Sequence, residues 1–373
     1  MQPNQDQDTM QGSLLAEQLQ RLPTGEVEQF WQTLMEEYGG FFPAWNTPSL
    51  FELLMPGEGG LDLATLLHGI LRFFWSELMY NGELLGSIIV LTVFAMVLQS
   101  IQNAFEQQTV SKVAYAVTYL VMLILVFNSF RLAMDYAQEA ITNMVDFMLA
   151  LIPLLLGMMA SLGNLVSATV FHPMMIFTIY LIGNLVRMVI LPLIFFAAIL
   201  NMVSHFSEQY RVTRLAGLMN KLTLGVLGIV ITLFLTVISL QGMTAAAADG
   251  MTMRTAKYIA GNFVPVVGRM FADAADTVVG ASLMVKNVIG LSGVIIVIFL
   301  SFFPAVKILA LGIIYSLAGA VLQPLGDSPM IQCLSTVGKS LMLIFAAVAI
   351  VGLMFFMAIT VIIAAGNVSF MMR

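Results

Sequence analysis

Residues Thr255 to Asn287 read TAKYIAGNFVPVVGRMFADAADTVVGASLMVKN, a charged interlude between apolar runs long enough to cross a membrane. The stretch holds Lys257, Arg269, Asp273, Asp276 and Lys286 together with Gly261, Pro265, Gly268 and Gly280. Placed on a helical period, Ile259, Phe263, Val266, Val267, Met270, Phe271, Ala274, Val278 and Val279 fall mostly on one side. Arg269, Asp273 and Asp276 gather on the other. A segment of this kind either lies along a membrane surface as an interfacial helix or lines a watery cavity as a re-entrant element. The second is open to it because irregular backbone at membrane depth survives only where protein or water satisfies it. Arg269 and Asp273 stand four residues apart, the spacing of an ordinary helical ion pair.

Outward from this stretch the chain is apolar. Of 373 residues, 60% are hydrophobic and 10% are charged, and the mean hydropathy is +0.95, far from a soluble domain with about 25% charged residues. The expected fold class is therefore all-α, a polytopic helical membrane protein with seven or eight spans and interrupted or re-entrant helices. The net charge of -6 is unevenly spread: residues 1–83 carry twelve acids and only two bases, Arg21 and Arg72. That asymmetry separates a small acidic, helical N-terminal region, 1–83, from a membrane domain, 84–373. A single cysteine, Cys333, excludes an intramolecular disulfide, and His68, His172 and His205 are too far apart in sequence for a metal-ligand spacing, so no metal or cofactor is expected.

Residues 1–12 have neither the basic nor the apolar part of a signal peptide, so either none was made or it has been removed. Leu14 to Leu22 and Val27 to Tyr38 read as short helices, the second stopped by Gly39-Gly40, and Ser49 to Glu52 has the pattern of a capping box that starts a third. Leu63 to Leu78 is amphipathic and interfacial, with Trp75 and Tyr80 suited to the headgroup level. Asn81-Gly82 breaks it. The spans then read as Leu84–Ile101, Val113–Phe130, the doubtful Phe147–Leu162 and a 33-residue run Phe171–Val203. Leu224–Leu240, Val288–Phe303, Ile308–Leu322 joined to its predecessor at Pro304, and Ser340–Ala365 complete the set. As one helix the run 171–203 would be about 50 Å long, so it is expected to be two short helices broken near Gly183, Arg187 and Pro192. Arg187 should then face a polar neighbour, water or a subunit interface, or else sit in a loop between the two. Arg211, Arg214 and Lys221 place the segment 204–223 on the cytoplasmic side.

A shift of 112 residues superimposes Pro153 on Pro265, Met158 on Met270 and Pro192 on Pro304, and a longer one brings Thr236-Val-Ile238 and Gly242 onto Thr360-Val-Ile362 and Gly366. Residues 140–245 and 252–366 are thus candidates for an internal duplication, and paired interrupted helices of this kind serve many transporters. No phosphate loop, zinc-protease motif or nucleophilic elbow occurs, and no span contains an acid, so an enzyme is not expected.

Several polar stretches resemble one family together: QNAFEQQTVSKVAYAV at 102–117, ALIPLLLGMMAS at 150–161, SEQYRVTRLA at 207–216, TAKYIAGNFVPVVGRMFADAADTV at 255–278 and QPLGDSPMIQC at 323–333. Their order and wording resemble the stage III sporulation protein AE family of endospore-forming Firmicutes, over nearly the whole chain. The resemblance implies a multi-span protein of the mother-cell membrane around the forespore, usually made with a signal peptide that is removed. It implies membership of the secretion-like channel, or feeding tube, that joins mother cell and forespore after engulfment. The implied partners are the stage III sporulation AA to AH proteins, forespore protein Q, membrane lipid and further copies of the chain, with no nucleic acid. If the signal was removed, residues 1–83 lie outside the mother-cell cytoplasm. The resemblance carries no catalytic or ligand residues, so the candidate pore or interface residues come from the physical reading: Arg187, Lys257, Arg269, Asp273, Asp276 and Lys286. A secondary transporter for a small solute is the alternative; the scarcity of charge inside the spans favours the channel component.

Overall fold

The structure is a computed structural model that describes residues 23–42, 63–104, 109–206, 212–263, 267–326 and 328–371, with backbone alone at 63, 102–104, 109–112, 166–167, 205–206, 241–263, 267–279, 366 and 368–371. Among the described residues all regular structure is helical: α1 (Gly25–Tyr38), α2 (Leu63–Tyr80), α3 (Gly82–Ala104), α4 (Thr109–Ser161), α5 (Leu165–Leu185), α6 (Leu191–Phe206), α7 (Thr213–Phe263), α8 (Val267–Leu322) and α9 (Pro329–Met371). Six helical stretches among the described residues are long and apolar enough to cross a membrane, in keeping with an all-α polytopic membrane protein. A helix meets all its interior backbone hydrogen bonds within itself, and that is what hydrocarbon demands.

Local chemistry sets the ends. After α2, the Asn81 side-chain amide donates to the Glu77 carbonyl at 2.9 Å, and Gly82 restarts the chain as α3. Gly163 follows α4 with φ +86°, and Gly326 precedes α9 with φ +134°, left-handed backbone that a side chain would strain.

The core is an antiparallel hairpin of α8 and α9, with α9 also packed on α4, α6 and α7. Small residues let the two backbones approach: a Cβ on Gly338 would stand 2.5 Å from the Ser316 hydroxyl, and one on Gly352 would collide with Ser301. α4 runs antiparallel to α8, tied where the buried Tyr315 hydroxyl donates to Ser129 Oγ at 2.8 Å. It also runs antiparallel to the α5–α6 rod, where the Tyr119 hydroxyl donates to the Met202 carbonyl at 3.2 Å. The outward faces of α3 and α7 expose Val90, Phe94, Leu224, Ile229 and Leu233, the surface that lipid would cover.

Several sequence expectations divide the chain differently from the structure. Val113–Phe130 and Phe147–Leu162 belong to one helix, the 53-residue α4, because the polar residues between them occupy one face and do not interrupt the backbone. Val288–Phe303 and Ile308–Leu322 likewise merge in α8, which passes through Pro304. Proline removes one backbone bond, but neighbouring groups in a bundle can accommodate the loss. Phe171–Val203 is a continuous rod rather than two short helices, so Arg187 is a helical residue and not part of a loop. The irregularity falls where the sequence placed it and is a π-helical turn, Val186–Ile190, closed by the Leu191 N–H on the Val186 carbonyl. Pro192, next in the chain, cannot continue the ordinary ladder.

The helix expected over 14–22 and the capping box at 49–52 lie outside the described residues. So do the side chains of Lys257, Arg269, Asp273 and Asp276, together with the pairing of Arg269 with Asp273. Around them the backbone is helical to Phe263 and again from Val267.

Candidate functional site

At 1.5 Å per residue, α4 is about 80 Å long against a hydrocarbon thickness of about 30 Å, so its polar middle marks a level rather than an end. On that middle stretch Arg131, Asp135, Gln138, Glu139 and Asp146 are exposed, between an apolar stretch on each side. Arg131 and Asp135 approach to 3.9 Å with both side chains largely in the open, a contact worth little by itself.

Three other groups converge at the same level from elsewhere in the chain. The first is an aromatic dock. α1 turns Trp31 and Tyr38 onto α8, Trp31 stacking on Phe299 with ring centres 6.1 Å apart and Tyr38 on Phe303 at 3.9 Å. Phe73 of α2 meets Phe303 edge-on at 5.0 Å, and Phe30 meets Phe147 of α4 at 5.2 Å. Each such ring contact adds about 1 kcal/mol to the burial of the rings themselves.

The second group is Lys307, one turn beyond Pro304 on α8. Its ammonium donates to Glu37 at 3.0 Å and to the Tyr38 hydroxyl at 3.1 Å. It also lies over the rings of Tyr38 and Tyr136, 5.0 and 5.2 Å from their centres. Burial, followed by the hydrogen bond with Glu37, raises the Tyr38 hydroxyl well above the usual phenol range, so it stays protonated. Together α1, α4 and α8 enclose a cavity of about 310 Å³, whose polar lining includes Thr33, Glu37, Tyr38, Glu139, Asn143 and Lys307. One cation faces two carboxylates there, so the cavity is acidic overall and suits a cationic or hydrogen-bonding group.

The third group is Arg187, held half-buried by the π turn. It donates to Thr142 Oγ1 at 3.0 Å and to Asn184 Oδ1 at 3.1 Å. A polar neighbour is what the cost of an arginine at membrane depth requires. The close packing that brings α4 within reach depends on Gly183, where a Cβ would stand 2.6 Å from Val145. Arg187→Gln removes two charge-assisted bonds to half-buried neutral acceptors, Thr142 and Asn184. Unfolding of the detergent-purified protein should show a loss of about 1–2 kcal/mol, with Arg187→Lys recovering part of it.

Lys286 stands apart from these. It is fully buried between α8 and α9, donating to the Ile363 carbonyl at 3.0 Å and to Asn367 Oδ1 at 3.2 Å. Ser301 of α8 and Met144 of α4, two residues from Thr142, both border Gly352, and Lys286 precedes Ser301 by fifteen residues, about 22 Å along α8, so the structure does not bring it together with Arg187. Sequence reasoning selected both and passed over Lys307. The signal for Lys307 was a lone lysine just after a proline within an apolar run.

The geometry can be set beside known proteins. The family model described as stage III sporulation protein AE matches residues 45–366. The chain belongs to the stage III sporulation protein AE family. One member, the stage III sporulation protein AE of Bacillus subtilis (strain 168), is 50% identical over 352 residues, which cover 94% of this chain and 88% of that protein. No solved structure matches the chain. The family match contains Arg187, Lys286 and Lys307 and begins after α1, so the dock joins a segment ahead of the match to helices inside it.

Proposed function

We propose that this chain is a membrane component of the secretion-like channel complex, the feeding tube, that links mother cell and forespore and sustains forespore development after engulfment. The observation that carries this reading is the 50% identity to the Bacillus subtilis protein over nearly the full chain. The six apolar helices and the lipid-suited outer faces support a place in the mother-cell membrane around the forespore. In this reading the chain is not an enzyme. Its partners are the AA to AH proteins of stage III, forespore protein Q, lipid and further copies of itself. Residues 1–83 form a distinct acidic region on the side facing the forespore, and 84–373 form the membrane domain. Lys257, Arg269, Asp273 and Asp276, with Arg187, supply the charges for a pore or a subunit contact, whereas Lys286, buried between α8 and α9, joins those two helices within the chain. An internal duplication of 140–245 and 252–366 belongs to the same reading and rests on the sequence superposition of Pro192 on Pro304 at a shift of 112 residues.

The test is complementation. In Bacillus subtilis cells lacking their own stage III sporulation protein AE, this chain should restore heat-resistant spores and co-purify with the other stage III A proteins. Failure of both, with the protein present in the membrane, would sink the proposal. The cavity at Lys307 favours a second reading, a small-solute carrier. Solute flux into proteoliposomes by the purified chain alone, abolished by Lys307→Met, would decide for it.

A further inference from the structure

At the end of the bundle where α8 turns into α9, a groove of about 450 Å³ runs between the two helices. Its walls are Ser316 of α8, Gln323 of the turn that follows α8, and Gln332, Ser335, Thr336 and Lys339 of α9, over a floor that includes Gly319. The α9 residues recur at intervals of three and four, so they form one polar stripe on the first turns of a helix that is otherwise among the most apolar in the chain. Among the described residues none of the lining groups is an acid. The groove therefore offers one ammonium, hydroxyls and amides, a set whose only charge is positive and so favours an oxyanion over a cation.

Position narrows the ligand further. Lys339 lies ten residues into α9, about 15 Å from its start, and its long side chain can reach back towards the surface. Leu317 and Val321 of α8, and Leu325 in the turn after it, are exposed and apolar, so the polar groove adjoins a surface suited to hydrocarbon. Arg214 and Lys221, both exposed, stand at the start of α7 at this same end of the bundle. An oxyanion that brings an acyl chain fits all these features. We propose that this groove is a binding site for the phosphate of an acidic phospholipid, with Lys339 as the charged contact and Ser335 as a hydrogen-bond donor, while the Thr336 hydroxyl donates within α9 to the Gln332 carbonyl at 2.8 Å.

Native mass spectrometry of the full chain with equal amounts of phosphatidylglycerol and phosphatidylcholine tests it. The wild type should retain phosphatidylglycerol in about fivefold preference, the effect of one well-placed lysine near an anionic headgroup. Lys339→Gln should bring the two lipids to parity, and Lys339→Arg should keep the preference. Arg214→Gln, at the same end but outside the groove, should leave it unchanged. Equal retention of the two lipids by the wild type, or an unaltered preference in Lys339→Gln, would overturn the site. An equal loss in Arg214→Gln would overturn it in favour of general surface charge. Displacement of phosphatidylglycerol by the same concentration of glycerol phosphate would overturn the lipid assignment and leave a soluble phosphate ester as the ligand.

Discussion

Gly338→Val should destabilise the bundle by about 3 kcal/mol, the upper part of the range for overpacked interiors. A Cβ at 338 would stand 2.5 Å from Ser316 Oγ, 3.1 Å from the Ser316 backbone nitrogen and 3.3 Å from the Gly312 carbonyl oxygen. The hydroxyl can rotate away, but the backbone atoms belong to the facing helix and move only if α8 and α9 separate. That pair forms the core against which α4, α6 and α7 pack, so separation loosens the whole bundle and not one contact. Gly157→Val on α4 is the control, because a Cβ there has nothing within 4 Å. The measurement is the fraction of each variant that stays monodisperse in detergent across a temperature series. Equal midpoints for Gly338→Val and wild type would show that the close approach does not hold the hairpin together.

What the sequence made legible was the local punctuation. Asn81-Gly82 ends one helix and begins the next, Gly39-Gly40 stops α1, and Gly326 between two prolines turns α8 into α9. These signals act through the backbone of a few adjacent residues, so they survive without knowledge of the fold. Continuity was not legible, because whether a helix passes through Pro304 or through the polar stretch 131–146 is decided by neighbours that the sequence does not identify. Arg187 was legible as a residue in need of polar company, since an arginine inside an apolar run has few alternatives. The identity of that company was not, because Thr142 lies 45 residues earlier and reaches it only through the packing of α4 on the π turn.

The aromatic dock illustrates the same limit. Trp31, Tyr38 and Phe42 read as the apolar side of a short acidic helix and its exit, which could equally have faced one another. Their actual partners, Phe299 and Phe303, sit in a helix whose even hydrophobicity marks no face as special. Lys307 breaks that evenness, and its ion-pair partner Glu37 is 270 residues away. The acidic character of the N-terminal region thus has a structural use: it supplies the carboxylate that pairs directly with a lysine set among rings on the membrane helix.

Lys307→Met keeps the length of the side chain and removes the charge, so it isolates what holds α1 in place. The lysine side chain is 17% exposed and that of Glu37 54%. Truncating a buried pair costs about 3–5 kcal/mol, but Glu37 can turn to water, which brings the expected loss to about 2–3 kcal/mol. The loss should be local, because α1 rests on α8 through its rings and this one charged clamp. Hydrogen exchange over 25–38 should therefore accelerate by about 30- to 150-fold, at tenfold for each 1.4 kcal/mol, while amides of the α8–α9 hairpin keep their protection. Glu37→Gln should accelerate the same segment less, since the ammonium keeps the Tyr38 hydroxyl and two rings. Joining Glu37→Gln to Lys307→Met should add little further loss, the signature of two groups acting on each other. Unchanged exchange over 25–38 in Lys307→Met would show that the aromatic contacts alone hold α1.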